Sequence, residues 1–196
     1  VERRLERRLP DGARFSLTSL QRQALNDPRL WGPDDPDRAP QNIIIQGATS
    51  AGKTLISELA ILDVLAHQGK ALVLVPLKAM VRERAEHFKA DIERCPHEYR
   101  VFGSSSDFMD NDDRLIHGRY EVGVLVYEKL FSMLNQPDCA ILDGCRLIVV
   151  DELSMLSKED RGPKLEVALE IIRELSPQTR IMCLATSDCS AANVAR

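Results

Sequence analysis

The chain has 196 residues, 44% hydrophobic and 29% charged, the balance of an ordinary soluble globular protein with length for one domain and a sizeable core. A net charge of −4 and a pI near 5.6 exclude a protein that coats nucleic acid through bulk positive charge. No apolar run approaches the roughly 20 residues of a bilayer-spanning helix, and the charged start VERRLERR lacks the apolar stretch of a secretory leader.

In chain order, residues 1–9 read as the end of a helix stopped at Pro10. Ser16–Leu25 predicts a short helix with Thr18 or Ser19 as N-cap, and the proline- and aspartate-rich stretch from Asp27 to Pro40 predicts a loop. Beyond it, apolar runs at Asn42–Gln46, Ala71–Val75, Tyr99–Phe102, Val122–Val126, Leu147–Val150 and Arg180–Leu184 are mostly continuous, as in strands buried on both faces of a parallel sheet. Helical patterns lie between them at Lys53–Ala66, Ala79–Arg94, Asp112–His117, Glu128–Asn135 and Pro163–Leu175. This alternation predicts an α/β fold, a doubly wound, mostly parallel sheet. We divide the chain into an N-terminal extension, 1–40, and a main domain, 41–196. The cysteines (Cys95, Cys139, Cys145, Cys183 and Cys189) form no Cys-x-x-Cys pair, which argues against disulfides or a zinc site and for a reducing compartment, cytoplasmic or nuclear.

Gly47, Ala48, Thr49, Ser50, Ala51, Gly52, Lys53 and Thr54 complete the pattern G-x-x-x-x-G-K-[ST] between a predicted strand and a predicted helix, the context that gives the motif meaning. Glycines let such a loop curl into a nest of N–H groups, and the helix behind it adds its positive end. Lys53 then meets the terminal phosphates of ATP, and the Thr54 hydroxyl is a ligand for Mg2+. The run Leu147–Val150 ends in Asp151 and Glu152, at the strand edge where ligands of open α/β sheets bind. Asp151 suits Mg2+, partly through water. Glu152 suits a general base on the attacking water, a role worth about 10²–10⁴ in rate.

Taken with GATSAGKT (47–54), the segments PLKAMVRE (76–83), VYEKL (126–130), VVDELSML (149–156), RGPKLE (161–166) and LATS (184–187) resemble, in order, the DExH-type superfamily 2 helicases of the Ski-like branch. The resemblance covers about residues 16–196 and implies a RecA-like P-loop domain, the first of two in such motors. It implies that Gln21 senses adenine, with Gln23 as the rival register. It also places Pro76, Lys78, Arg82, Gly103, Ser104, Tyr127 and Lys129 against a nucleic-acid backbone. Gly103 and Ser104 are expected in a turn closing their strand. Ser154, Ala185, Thr186 and Ser187 fall where the family couples hydrolysis to strand binding.

Three departures touch that coupling. Ser154 stands where the branch usually has His, Ala185-Thr186-Ser187 replaces the usual Ser-Ala-Thr, and Val126 stands where Thr is common. The resemblance further implies a second RecA-like domain that supplies arginines to the transferring phosphoryl group, and 196 residues leave no room for one. The expectation is a domain that binds nucleotide, hydrolyses it very slowly and unwinds nothing until joined to that partner. The rival is an ATP-responsive nucleic-acid clamp or scaffold; DNA or RNA is the expected partner of either, and a membrane is not.

Overall fold

The computed structural model describes residues 16–31, 41–92, 99–153 and 162–186. The predicted readings of residues 1–15, most of the loop before Pro40, Cys95, Ser154, Ser187 and Cys189 lie outside them.

Six strands form one sheet in the order β1-β6-β5-β2-β4-β3. They are β1 (Ile43–Gln46), β2 (Lys70–Val75), β3 (Val101–Ser104), β4 (Val122–Val126), β5 (Cys145–Val150) and β6 (Arg180–Ala185), and each neighbouring pair is parallel. Their C-terminal ends therefore share one edge. The helices are α1 (Ser19–Leu25), α2 (Lys53–Ala66), α3 (Lys78–Ile92), α4 (Asp112–Ile116), α5 (Tyr127–Leu134) and α6 (Gly162–Leu175).

The continuous apolar runs are explained by helices on both faces, since successive side chains of a strand point to opposite sides. Val73 and Val75 enter one core with Ile56, Ala60, Val81, Ala85 and Phe88 of α2 and α3. Leu72 and Leu74, one residue out of phase, enter the other with Leu130, Met133, Leu165 and Ile172 of α5 and α6. At the rim, β1 alternates instead: Ile43 and Ile45 are buried while Ile44 is 43% exposed.

The N-terminal segment packs onto the first core through Ala24 and Leu30. The Arg180 guanidinium, buried at the start of β6, ties it down by donating from Nη1 to the carbonyls of Arg29 and Trp31 at 2.9 and 2.7 Å.

Two predicted boundaries are corrected. Pro28–Leu30 is a 3-10 turn rather than open loop: the Asp27 carboxylate accepts from the Arg29 N–H at 2.9 Å, Pro28 takes the first position, and Leu30 is wholly buried. Gly103 and Ser104 do not form a turn after their strand but belong to β3, paired with Val124 and Leu125. A Cβ at Gly103 would come within 2.9 Å of Val81 Cγ1, so the glycine lets α3 lie close on the sheet.

Candidate functional site

The loop 47–52 leaves β1 and enters α2 at the C-terminal edge. Gly52 is the N-cap of α2 with φ 79°, a left-handed conformation that suits glycine. The Gly47 N–H donates to the Ala185 carbonyl at 3.1 Å, so the loop starts on the last residue of β6. Ala48, Thr49 and Ser50 are exposed, and Thr54 is half-buried on the first turn of α2. The Lys53 ammonium folds back over the loop, donating to the carbonyls of Gly47 and Ala48 at 2.7 and 2.9 Å.

Helix α1 is fastened to this loop. Thr18 and Gln21 form a capping box: the Thr18 hydroxyl accepts from the Gln21 N–H, and Gln21 Oε1 accepts from the Thr18 N–H at 2.9 Å. The same side chains reach across, Thr18 Oγ1 donating to the Ala51 carbonyl at 2.9 Å and Gln21 Nε2 to the Gly52 carbonyl at 3.2 Å. Gln21 is buried against the loop and Gln23 is exposed.

Two strands along, β5 delivers the acids. Asp151 is fixed at three points. Its N–H donates to the Leu74 carbonyl at 2.8 Å, its carbonyl accepts from the Tyr127 hydroxyl at 2.7 Å, and its Oδ2 accepts from Arg84 Nη2 at 2.9 Å. The Tyr127 hydroxyl also lies 3.4 Å from the Glu152 carbonyl. Glu152 adopts φ 72°, a conformation costing a non-glycine residue about 1–3 kcal/mol and concentrated at working sites. Burial first, and then the charges of Asp151 and Glu152, push the Tyr127 phenol well above its ordinary range, which keeps it a donor.

Because only β6 separates β1 from β5, the loop and the acid turn stand two strand spacings apart, about 10 Å. The Thr54 hydroxyl and the carboxylates of Asp151 and Glu152 are hard oxygen donors of the kind Mg2+ takes, and the Lys53 ammonium, held over the loop by the carbonyls of Gly47 and Ala48, supplies positive charge beside the N-terminus of α2. These residues fit a magnesium triphosphate.

The residues expected to meet a nucleic-acid backbone continue along the same edge. Pro76 is buried after β2. Lys78 pairs with Asp107 at 3.1 Å, and the Arg82 guanidinium lies 5.2 Å from the Phe108 ring centroid, so both hold the segment after β3. Ser104 is wholly buried, its hydroxyl bonded to Asp112, and Lys129 pairs with the same carboxylate. Tyr127 is buried, its hydroxyl turned to the acid turn and not to the surface. Ala185 ends β6 and Thr186 follows, half-buried.

Sequence reasoning missed Thr18, Asp112 and Arg84 as parts of this edge. Arg84 was within reach of it. Val81, Ala85 and Phe88 mark the buried stripe of α3, and a basic residue three positions after Val81 falls on that stripe.

Comparison with known proteins bears on the family and the fold. The family described as DEAD/DEAH box helicase matches residues 19–194. The ATP-dependent DNA helicase Hel308 of Thermoplasma volcanium is 31% identical over 185 residues, covering 94% of this chain and 25% of its own length. The Hel308 proteins of Thermococcus kodakarensis and Pyrobaculum calidifontis are 30% and 35% identical, over 100% and 79% of this chain and 16% and 21% of their own lengths. The chain thus spans a quarter or less of these relatives. The DUF1998 helicase MrfA, in a crystal structure with DNA, superposes with a TM-score of 0.63 at 18% identity, over 74% of this chain and 22% of that one. That likeness is one of fold. Among the described residues no helix is long and apolar enough to cross a membrane.

Proposed function

The chain belongs to the DEAD/DEAH box helicase family, and from that premise we propose that it is the first RecA-like motor domain of a helicase. In this role it binds ATP at the loop 47–54 and, with a second such domain, couples ATP hydrolysis to movement along a nucleic-acid strand. One observation carries the proposal: the glycine loop with Lys53 and the acid turn with Asp151 and Glu152 sit on one sheet edge, separated by a single strand. The names of the relatives as DNA helicases favour DNA as that strand.

The loop amides and Lys53 hold the phosphates, and Gln21, at the mouth of the loop, meets the adenine. Thr54 and Asp151 hold Mg2+, which when bound neutralises charge on the phosphates. Glu152 orients a water and takes its proton as the oxygen attacks the γ-phosphorus. The bond to the bridging oxygen then breaks, releasing ADP and phosphate. Lys78, Arg82 and Lys129 lie along the path of the strand. An arginine from the second domain adds about 10³–10⁵ to turnover, which leaves this domain nearly inactive alone. The domain works in the cytoplasm or nucleus.

The test is nucleic-acid-stimulated ATPase of the full-length protein, comparing single-stranded DNA with RNA and wild type with Glu152→Gln. The variant is expected to lose turnover yet keep nucleotide binding. A wild-type protein stimulated by neither strand would sink the motor proposal and favour a nucleotide-responsive clamp.

A further inference from the structure

We propose that Arg84 is a positioning residue for the metal side of the nucleotide site, holding the Asp151 carboxylate in the orientation that receives Mg2+. The inference rests on the nucleotide site proposed above and deepens it. Neither the loop motif nor the acid motif contains Arg84; it comes from the seventh position of α3, the helix that opens directly after Pro76 and Leu77.

The other described cations of the edge are engaged elsewhere, Lys78 with Asp107, Arg82 over Phe108 and Lys129 with Asp112. Arg84 alone among them turns to the acid turn. Its pair with Asp151 is mostly shielded, the side chains being 22% and 18% exposed. The contact runs from Nη2 to Oδ2. With the main chain of Asp151 fixed by Leu74 and Tyr127, the remaining freedom of that residue is rotation of its carboxylate, and Arg84 removes it. A ligand carboxylate oriented by an outer hydrogen-bond donor is pre-organised, and loss of such donors elsewhere costs about 10–100-fold in metal affinity or activity. Because α3 begins at the residues assigned to the nucleic-acid backbone, a shift of that helix would reach the metal ligand through one side chain.

The measurement is binding of a fluorescent ATP analogue to the chain at a series of Mg2+ concentrations and in EDTA, for wild type, Arg84→Ala and Arg84→Lys, with thermal denaturation of each. Arg84→Ala is expected to raise the half-saturating Mg2+ about tenfold and leave the metal-free affinity within about twofold. Arg84→Lys, which keeps a cation and N–H donors on the same helix face without the planar guanidinium, is expected to recover part of the loss. A merely structural role would lower the melting temperature and weaken both affinities together, and that overturns the inference. So does an unchanged Mg2+ midpoint. A lowered one overturns it too, since the guanidinium would then be competing with the cation. Wild-type chain that binds no nucleotide, with or without Mg2+, would overturn the nucleotide site itself and this inference with it; normal wild-type binding beside an unmoved Arg84→Ala midpoint overturns only the inference.

Discussion

Tyr127→Phe removes one oxygen from a buried ring and nothing else, which isolates the bond between the start of α5 and the acid turn. The hydroxyl lies 2.7 Å from the Asp151 carbonyl and 3.4 Å from that of Glu152, and the residue is 1% exposed. A buried neutral hydrogen bond contributes about 0.5–1.5 kcal/mol net. Its loss also loosens the turn that holds Glu152 at φ 72°, a conformation needing about 1–3 kcal/mol of support from its surroundings. The expected destabilisation is about 1–2 kcal/mol, a lower melting temperature by roughly 2–4 °C per kcal/mol for a domain of this size. Urea titration can follow it through Trp31, the sole tryptophan, whose indole N–H donates to the Leu25 carbonyl at 3.2 Å. Tyr120→Phe is the control. Its hydroxyl makes a comparable buried bond to the Ile141 carbonyl at 2.5 Å, but it precedes β4, at the opposite edge of the sheet. Both variants should lose similar stability, and only Tyr127→Phe should also slow turnover of the full-length protein while leaving nucleotide binding intact. A Tyr127→Phe protein as stable as wild type, or one whose turnover matches that of Tyr120→Phe, would mean that this hydroxyl does not support the acid turn.

Gly52→Ala should destabilise the chain and weaken nucleotide binding. Its Cβ would lie 2.1 Å from Gln21 Nε2 at φ 79°, and in a Gln21→Ala background the penalty should shrink to the conformational part, about 1–2 kcal/mol, a coupling that a double-mutant cycle in urea detects. Burial pushes the thiols of Cys145 and Cys183 up from an ordinary 9.0 to about 12. The fold therefore favours their protonated form, and stability present below pH 9 should fall as pH rises toward 12, by about 1.4 kcal/mol per thiol per pH unit. A pH series of urea midpoints should show this slope flattened in Cys145→Ala/Cys183→Ala; an identical slope would be against it.

The parallel sheet and its helices were legible because a two-sided strand writes itself as an unbroken apolar run, as at Leu72–Val75 and Ile148–Val150. The glycine loop and the acid turn were legible because each is contiguous in sequence. Contacts between distant segments were not. Nothing local ties Arg84 to Asp151, or Thr18 to Ala51. Tyr127 shows the difference most sharply: its place at the start of a helix was evident, while the direction of its hydroxyl depends on how β4 and β5 flank β2. Gly103 was expected in a turn because the resemblance places one after that strand, and here its small size serves the close approach of α3. Pro28–Leu30 was hidden by composition, although Asp before Pro is also a helix-opening pair.

The placement of β1 at the rim has its own consequence. Within the described sheet, the strand that presents the glycine loop has a neighbour on one side only, β6, and one of its isoleucines faces outward. Cooperative opening of a protein begins where the fewest contacts must break, so the glycine loop is set at a margin of the sheet, away from the middle formed by β2 and β5. A ligand clasped there would stiffen the border of the domain more than its centre, turning occupancy into a change of pliability that an adjoining body can sense.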